Sequence, residues 1–136
     1  MSDWNSKVIE EFRANEGRVG GGFTGAPMLL LTTTGRRSGE RRTNPMMYLA
    51  DGDRLLVFAS KGGAPTHPDW YRNLVANPRV TVEVATETYP AKAVVVTGEE
   101  RDRLYAEQSA RYPGFGDYQR KTDRVIPVVA LIRDPK

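Results

Sequence analysis

The chain has 136 residues, 39% hydrophobic and 27% charged, with a formal net charge of +3. That profile predicts one folded domain over residues 1–136 and excludes a fibrous repeat or a disordered tail. The absence of cysteine removes disulfides, thiolate nucleophiles, iron–sulfur clusters and zinc ribbons.

From Asp3 to Glu16, Trp4, Val8 and Phe12 recur at helical spacing with Ile9 beside them, which predicts an amphipathic helix ending near Gly17. Its apolar stripe either packs on the core or, with Trp4 and the flanking charges, rests on a membrane surface. Gly20, Gly21 and Gly22 follow as a joint, so residues 1–24 form an N-terminal appendage. Gly20, Gly22 and Gly25 match the spacing of a dinucleotide fingerprint, but they follow a helix and precede a strand, the reverse of the required context. Met28–Thr34 reads as a core strand. Asn44–Ala50 and Arg54–Ser60 read as two more, joined at Asp51 and Gly52 in a meander.

A helix starts near Pro68 and stops at Asn77 and Pro78. Val80–Val84 and Tyr89–Thr97 are strands across a corner at Thr86 and Glu87, and Glu99–Arg111 is a second helix. Tyr112–Tyr118 sets three aromatic rings among Pro113, Gly114 and Gly116 and reads as a loop or lid, or as a cluster sealing one end of the barrel. Val125–Arg133, interrupted by Pro127, is expected at a sheet edge. Six strands in mostly sequential antiparallel pairs, with inserted helices, predict an α+β fold built on a small barrel. The longest apolar runs, Ala26–Leu31 and Ala93–Val96, fall far short of the roughly 18–20 residues of a membrane span, and no secretory pattern opens the chain, so a cytoplasmic location is expected.

The densest polar segment runs from Gly35 to Arg42 and carries four arginines within seven residues. Guanidinium forks and backbone amides on such a turn suit an oxyanion, although the same charges would keep an edge strand soluble. Ser60, Lys61, Gly62 and Gly63 repeat that chemistry at another strand end, and in a meander the two turns converge on one anionic group. On the helix after Pro68, Trp70, Asn73, Leu74 and Asn77 share a face, and the two amides suggest contact with something polar and flat. The single His67 has no second histidine, so neither a metal site nor a serine triad is expected. Few acid–base groups, several anion donors and an aromatic-lined cavity suit a protein whose chemistry comes from a cofactor. Single-stranded nucleic acid, the competing ligand for Arg36, Arg37, Arg41, Arg42 and Trp70, is not the expected partner.

Three ordered segments carry a family resemblance: LLLTTTGRRSGERRTNP at Leu29–Pro45, ASKGGAPTHPDWYRNLVANP at Ala59–Pro78, and YPGFGDYQRKTDRVIPVV at Tyr112–Val129. Over Gly25–Val129 the chain resembles the deazaflavin-dependent nitroreductase family of small coenzyme F420-dependent oxidoreductases. The resemblance implies a split β-barrel related to flavin-mononucleotide-binding barrels, with coenzyme F420 (8-hydroxy-5-deazaflavin) in a groove; FMN is the alternative on the same barrel. Arg36, Arg37 and Ser38, with Arg42 and Lys61, would hold the phosphate and the glutamyl tail. Thr43, Asn44, Pro45, Met46 and Met47 would line the ring with Phe58, Ala59 and Ser60, while Asp69, Trp70, Tyr71, Arg72 and Asn73 would close one side. Period-two alternation favours Arg42 over Arg41 for the phosphate.

The implied reaction is hydride transfer to a quinone, nitroaromatic or activated alkene bound under Tyr112–Tyr118. Ser60 and Tyr118, then Tyr112, would donate hydrogen bonds to the developing negative charge. Nitroreducing relatives carry tyrosine where this chain has Phe115, and loss of one such donor costs on the order of a hundredfold in rate. A cofactor-binding or storage protein is therefore the second reading. Arg37 replaces a lysine of some relatives, which keeps the charge and changes the geometry.

Overall fold

The structure, a computed structural model, describes residues 3–20 and 26–134, with the side chains of residues 3–5 and 62 outside the description. The predicted glycine joint therefore falls largely outside the described residues. The helices are α1 (Asp3–Ala14), α2 (Asp69–Ala76), α3 (Gly98–Arg111) and α4 (Pro113–Arg120). The strands are β1 (Met28–Thr34), β2 (Arg41–Met47), β3 (Leu49–Asp51), β4 (Arg54–Phe58), β5 (Arg79–Val84), β6 (Glu87–Val96) and β7 (Val128–Arg133).

These strands form one antiparallel sheet in the order β2-β1-β5-β6-β7-β4-β3. β2 and β3 lie at opposite ends of that order yet are separated in the chain by Tyr48 alone. The sheet must therefore curl until its two ends nearly meet, which makes an α+β split barrel. Alternation along the strands separates two surfaces. Leu29, Leu31, Val57, Val82, Val129 and Leu131 fill the inside, and Leu74 of α2 reaches in to join them. On the outside, Leu56, Phe58, Val128 and Ala130 are covered by α3 through Leu104 and Tyr105. Met28 and Leu30 are covered by Val8, Ile9 and Phe12 of α1. Val8, Ile9 and Phe12 of the predicted stripe are thus buried against the sheet, while the Trp4 side chain lies outside the described residues. No described helix is long and apolar enough to cross a membrane.

Three expectations change. The predicted strand Asn44–Ala50 starts earlier, at Arg41, and breaks at Tyr48, giving seven strands among the described residues rather than six. β7 lies between β6 and β4 instead of at an edge. Pro127 precedes β7, so it removes no ladder bond, and its carbonyl accepts the Ala59 N–H at 3.0 Å. The Tyr112–Tyr118 segment is no loop: Tyr112 caps helix α4, which holds the rest. Pro113 takes the first helical position, where its missing N–H costs nothing. Phe115 and Tyr118 then pack on the outer cluster, edge-on to each other at 5.5 Å, and that packing outweighs the poor propensity of the two glycines.

Candidate functional site

The β1–β2 turn folds back on itself before it presents any charge. The Gly35 N–H donates to the Glu40 carbonyl at 2.7 Å, Gly39 donates to the Gly35 carbonyl at 2.9 Å, and the Glu40 N–H donates to Ser38 Oγ at 3.1 Å. A Cβ on Gly35 would stand 2.6 Å from Ser38 Oγ, so this close return requires glycine. One buried amide ties the turn to α2. Asn73 Oδ1 accepts both the Arg36 N–H and Arg36 Nη1 at 3.2 Å, and Asn73 Nδ2 donates to the buried Thr33 hydroxyl at 3.4 Å. Arg42 pairs with Glu40 at 3.1 Å and Arg36 lies 3.8 Å from Asp69. Arg37 has no ion-pair partner among the described residues.

The second turn, Lys61–Gly63 after β4, is held from behind by Arg124 in the α4–β7 connection. Arg124 donates to the carbonyls of Ala59 (Nη1, 3.1 Å), Ser60 (Nη2, 2.6 Å) and Ala64 (Nε, 2.8 Å). Its fourth acceptor is His67 Nδ1 at 2.9 Å. A guanidinium only donates, so this His67 nitrogen accepts and the ring is neutral. Burial, followed by the charges of Arg124 and Arg72, holds His67 below its ordinary value of 6.5. Burial also lowers Arg124, opposed by the nearby Tyr105. Tyr105 itself is pushed up to about 12, chiefly by burial, and its neutral hydroxyl donates to the Phe115 carbonyl at 2.6 Å, fixing α4 on α3. Gly63 has φ +83°, and a Cβ there would lie 2.8 Å from the Tyr118 carbonyl, so the turn and α4 touch backbone to backbone. Lys61 sits at φ +48° with its ammonium 3.2 Å from Thr66 Oγ1.

Together the two turns and the N-terminal half of α2 enclose a cleft of about 590 Å³. Arg36, Arg37, Arg42 and Lys61 line it against a single carboxylate, Asp69, with Ser38 and Asn44 as neutral donors. Trp70 supplies a flat apolar wall. Such a donor set suits a ligand with a multiply charged anionic tail and an adjoining planar group.

Nine residues expected at a cofactor site meet here: Arg36, Arg37, Ser38, Arg42, Asn44 and Lys61 from the strands and turns, and Asp69, Trp70 and Asn73 from α2. The rest lie elsewhere, for reasons of strand alternation and packing. The Thr43 hydroxyl is 2.8 Å from that of Thr32, and Met47 packs with α1, both on the outer surface. Pro45 pairs with Leu30 in the ladder, and Met46 packs into the inner core. Phe58 is buried on the outer surface, edge-on to Tyr105 at 5.9 Å and to Phe115 at 5.7 Å. Ala59 is fully buried, and Ser60 caps the second turn with its carbonyl held by Arg124. Tyr71 lies tilted against His67, ring centres 4.9 Å apart, beside a separate cavity of about 290 Å³, and Arg72 is exposed. Tyr112 ends α3, while Phe115 and Tyr118 belong to the outer cluster.

The α2 amides meet protein groups: Asn73 as above, and Asn77 Oδ1 with the Arg79 N–H at 3.4 Å. Sequence reasoning named Gly35 and Pro68 only as the starts of the basic turn and of the helix, and it missed Arg124. Arg124 carried a weak signal, the last cation of the Arg120–Arg124 cluster just ahead of an apolar strand.

The sequence model of the F420H(2)-dependent quinone reductase family matches residues 4–133. An F420H(2)-dependent quinone reductase of Mycobacterium tuberculosis is 40% identical over 128 residues, covering 90% of this chain and 85% of that protein. The solved structure of an F420-H2 dependent reductase superposes with a TM-score of 0.71 at 42% identity, over 77% of this chain and 93% of that one. A FAD-binding protein from Mesorhizobium loti shares the fold alone, with a TM-score of 0.57 at 12% identity over 99% of this chain and 90% of that one. A split barrel whose cationic cleft suits a polyanionic cofactor, matched over nearly its whole length by this one sequence family, belongs to the F420H(2)-dependent quinone reductases and is an F420H2-dependent reductase.

Proposed function

We propose that the cleft between the two turns seats the phosphate and glutamyl tail of coenzyme F420, and that the chain reduces a quinone. The observation that carries this reading is the meeting of Arg36, Arg37, Arg42 and Lys61 in one cleft with one carboxylate. Arg37 and Lys61 have no carboxylate partner among the described residues, so they contribute most to holding the tail. Arg36 and Arg42 are tethered by Asp69 and Glu40 and chiefly set its direction. When bound, the reduced cofactor supplies the hydride. The protein's part is to orient the acceptor and to stabilise negative charge on it, with the Ser60 hydroxyl, Tyr118 of α4 and Tyr112 at the α3–α4 junction as donors.

The test is a fluorescence titration with coenzyme F420 on the wild type, Arg37→Ala, Lys61→Ala and Arg41→Ala. A charge-assisted hydrogen bond of about 1.5–3 kcal/mol implies a rise in Kd of at least about tenfold for each of the first two. Arg41, which donates to Thr81 Oγ1 at 2.6 Å outside the cleft, serves as the control with a change below about twofold. Unchanged affinity in both Arg37→Ala and Lys61→Ala rejects the site.

Phe115 places an aromatic ring without a hydroxyl between Phe58 and Tyr118, which favours a quinone over a nitroaromatic acceptor. Steady-state oxidation of the reduced cofactor by menadione tests quinone turnover, and turnover disfavours the storage reading. For nitroaromatic acceptors, Phe115→Tyr is expected to raise the rate by up to about a hundredfold.

A further inference from the structure

Arg124 lies outside the cleft, yet it holds more of the second turn than any other side chain described. Its guanidinium reaches three consecutive features of the Ala59–His67 segment: the carbonyls at the end of β4, the carbonyl after the turn, and the imidazole that precedes α2. None of these four acceptors carries a charge. A guanidinium drawn out of water without a carboxylate is costly, and its geometry is sustained only because each donated bond is directional and filled. That cost has no counterpart in the barrel core, which Arg124 does not enter. Its consequence is local: the turn holds a conformation with Lys61 at φ +48°, a region that a lysine rarely adopts. From there the Lys61 side chain enters the cleft.

We propose that Arg124 is a positioning residue for cofactor binding: by clamping the Ala59, Ser60 and Ala64 carbonyls and His67, it holds the turn in the conformation that delivers the Lys61 ammonium to the anionic tail. This rests on the cleft being the cofactor site. Arg124 acts through Lys61 and touches neither cofactor nor acceptor. Lysine in its place keeps the charge but lacks the planar fork, so it serves at most part of the acceptor set.

A double-mutant cycle reads this directly. Arg124→Lys is titrated with coenzyme F420 in the wild-type background and in Lys61→Ala, each well below its thermal midpoint. Arg124→Gln, which keeps two amide donors and removes the charge, passes through the same cycle as a second variant. The expected result is a Kd raised about tenfold by either substitution when Lys61 is present, and by less than about twofold when it is absent. In steady state the KM for reduced cofactor rises while kcat stays within about twofold, whereas a loss of folded protein would lower kcat and leave KM alone.

Equal losses in both backgrounds, or unchanged affinity in the folded variants, overturn the proposal. A loss confined to Arg124→Gln overturns it too, since that marks long-range attraction by the charge. Unchanged affinity in Lys61→Ala overturns the proposal, and together with unchanged affinity in Arg37→Ala it condemns the cleft assignment itself. A weakened Lys61→Ala combined with additive Arg124 variants condemns only the clamp.

Discussion

The two cationic turns reach the same cleft by opposite means. The Gly35–Glu40 turn is closed by its own backbone and tied to α2 chiefly by one neutral amide, Asn73, while its Arg36 and Arg37 and the adjoining Arg42 face the cleft. The Lys61–Gly63 turn offers one cation, and its shape depends on a guanidinium from the α4–β7 connection and on backbone contact with α4. The first turn is redundant in charge and locally determined. The second is singular in charge and determined by chain some sixty residues away. Damage to the scaffold should therefore pass to the cofactor through the second turn far more than through the first.

The largest effect that can break this contrast is at Gly63. Gly63→Ala combines a positive φ with a contact of 2.8 Å against the Tyr118 backbone. We expect about 2–4 kcal/mol of destabilisation in denaturant unfolding, with weakened cofactor binding in the protein that remains folded. Wild-type stability in this variant would show that α4 yields easily and that the second turn is less constrained than its contacts indicate. Next comes Asn73→Ala, which leaves the Thr33 hydroxyl and the Arg36 N–H without their partner. About 1–3 kcal/mol is expected, with a smaller rise in cofactor Kd than for Gly63→Ala. A larger rise would invert the contrast.

The smallest effect is on pH dependence and belongs to the second turn alone. The His67 pKa in the folded state lies below its ordinary 6.5, through burial first and then Arg124 and Arg72. Between those two values the unfolded chain binds a proton that the folded chain does not. The stabilising contribution is therefore complete above pH 6.5 and is lost as pH falls from there through the folded pKa. Thermal midpoints measured from pH 7.5 downward should fall less steeply in His67→Asn, whose amide oxygen can still accept from Arg124. Parallel curves for the two proteins would remove His67 from the account.

Much of the fold was legible because its signals are local. The alternation of Val80, Val82 and Val84, the apolar run of β1, the bounds of α2 and the stripe of α1 each reflect burial of one face, and each reappears in the structure. The edge position of β7 and the loop at Tyr112–Tyr118 failed for a shared reason. In both, proline or glycine was weighed as a local breaker, whereas Pro127 fell just outside its strand and α4 is stabilised by Phe115 and Tyr118 packing on a distant cluster.

Within the cleft, the residue types were readable from the density of arginine around Gly35–Arg42 and the glycine-flanked Lys61. Which of the neighbouring positions face it was only partly readable. Alternation separates Arg42 and Asn44 from Arg41 and Thr43, but it cannot reveal that Phe58 lies on the outer surface under α3 and α4.

By itself the sequence determined the family, the elements and the chemistry of the anion-binding groups, because hydrophobic periodicity, turn residues and charge density act over a few neighbouring positions. Only the tertiary structure decided that β2 and β3 close opposite ends of one sheet, that Asn73 is committed to Arg36, and that Arg124 clamps the turn carrying Lys61. Those outcomes depend on hydrogen bonds and packing between segments tens of residues apart, and no local pattern records which distant donor will meet which acceptor.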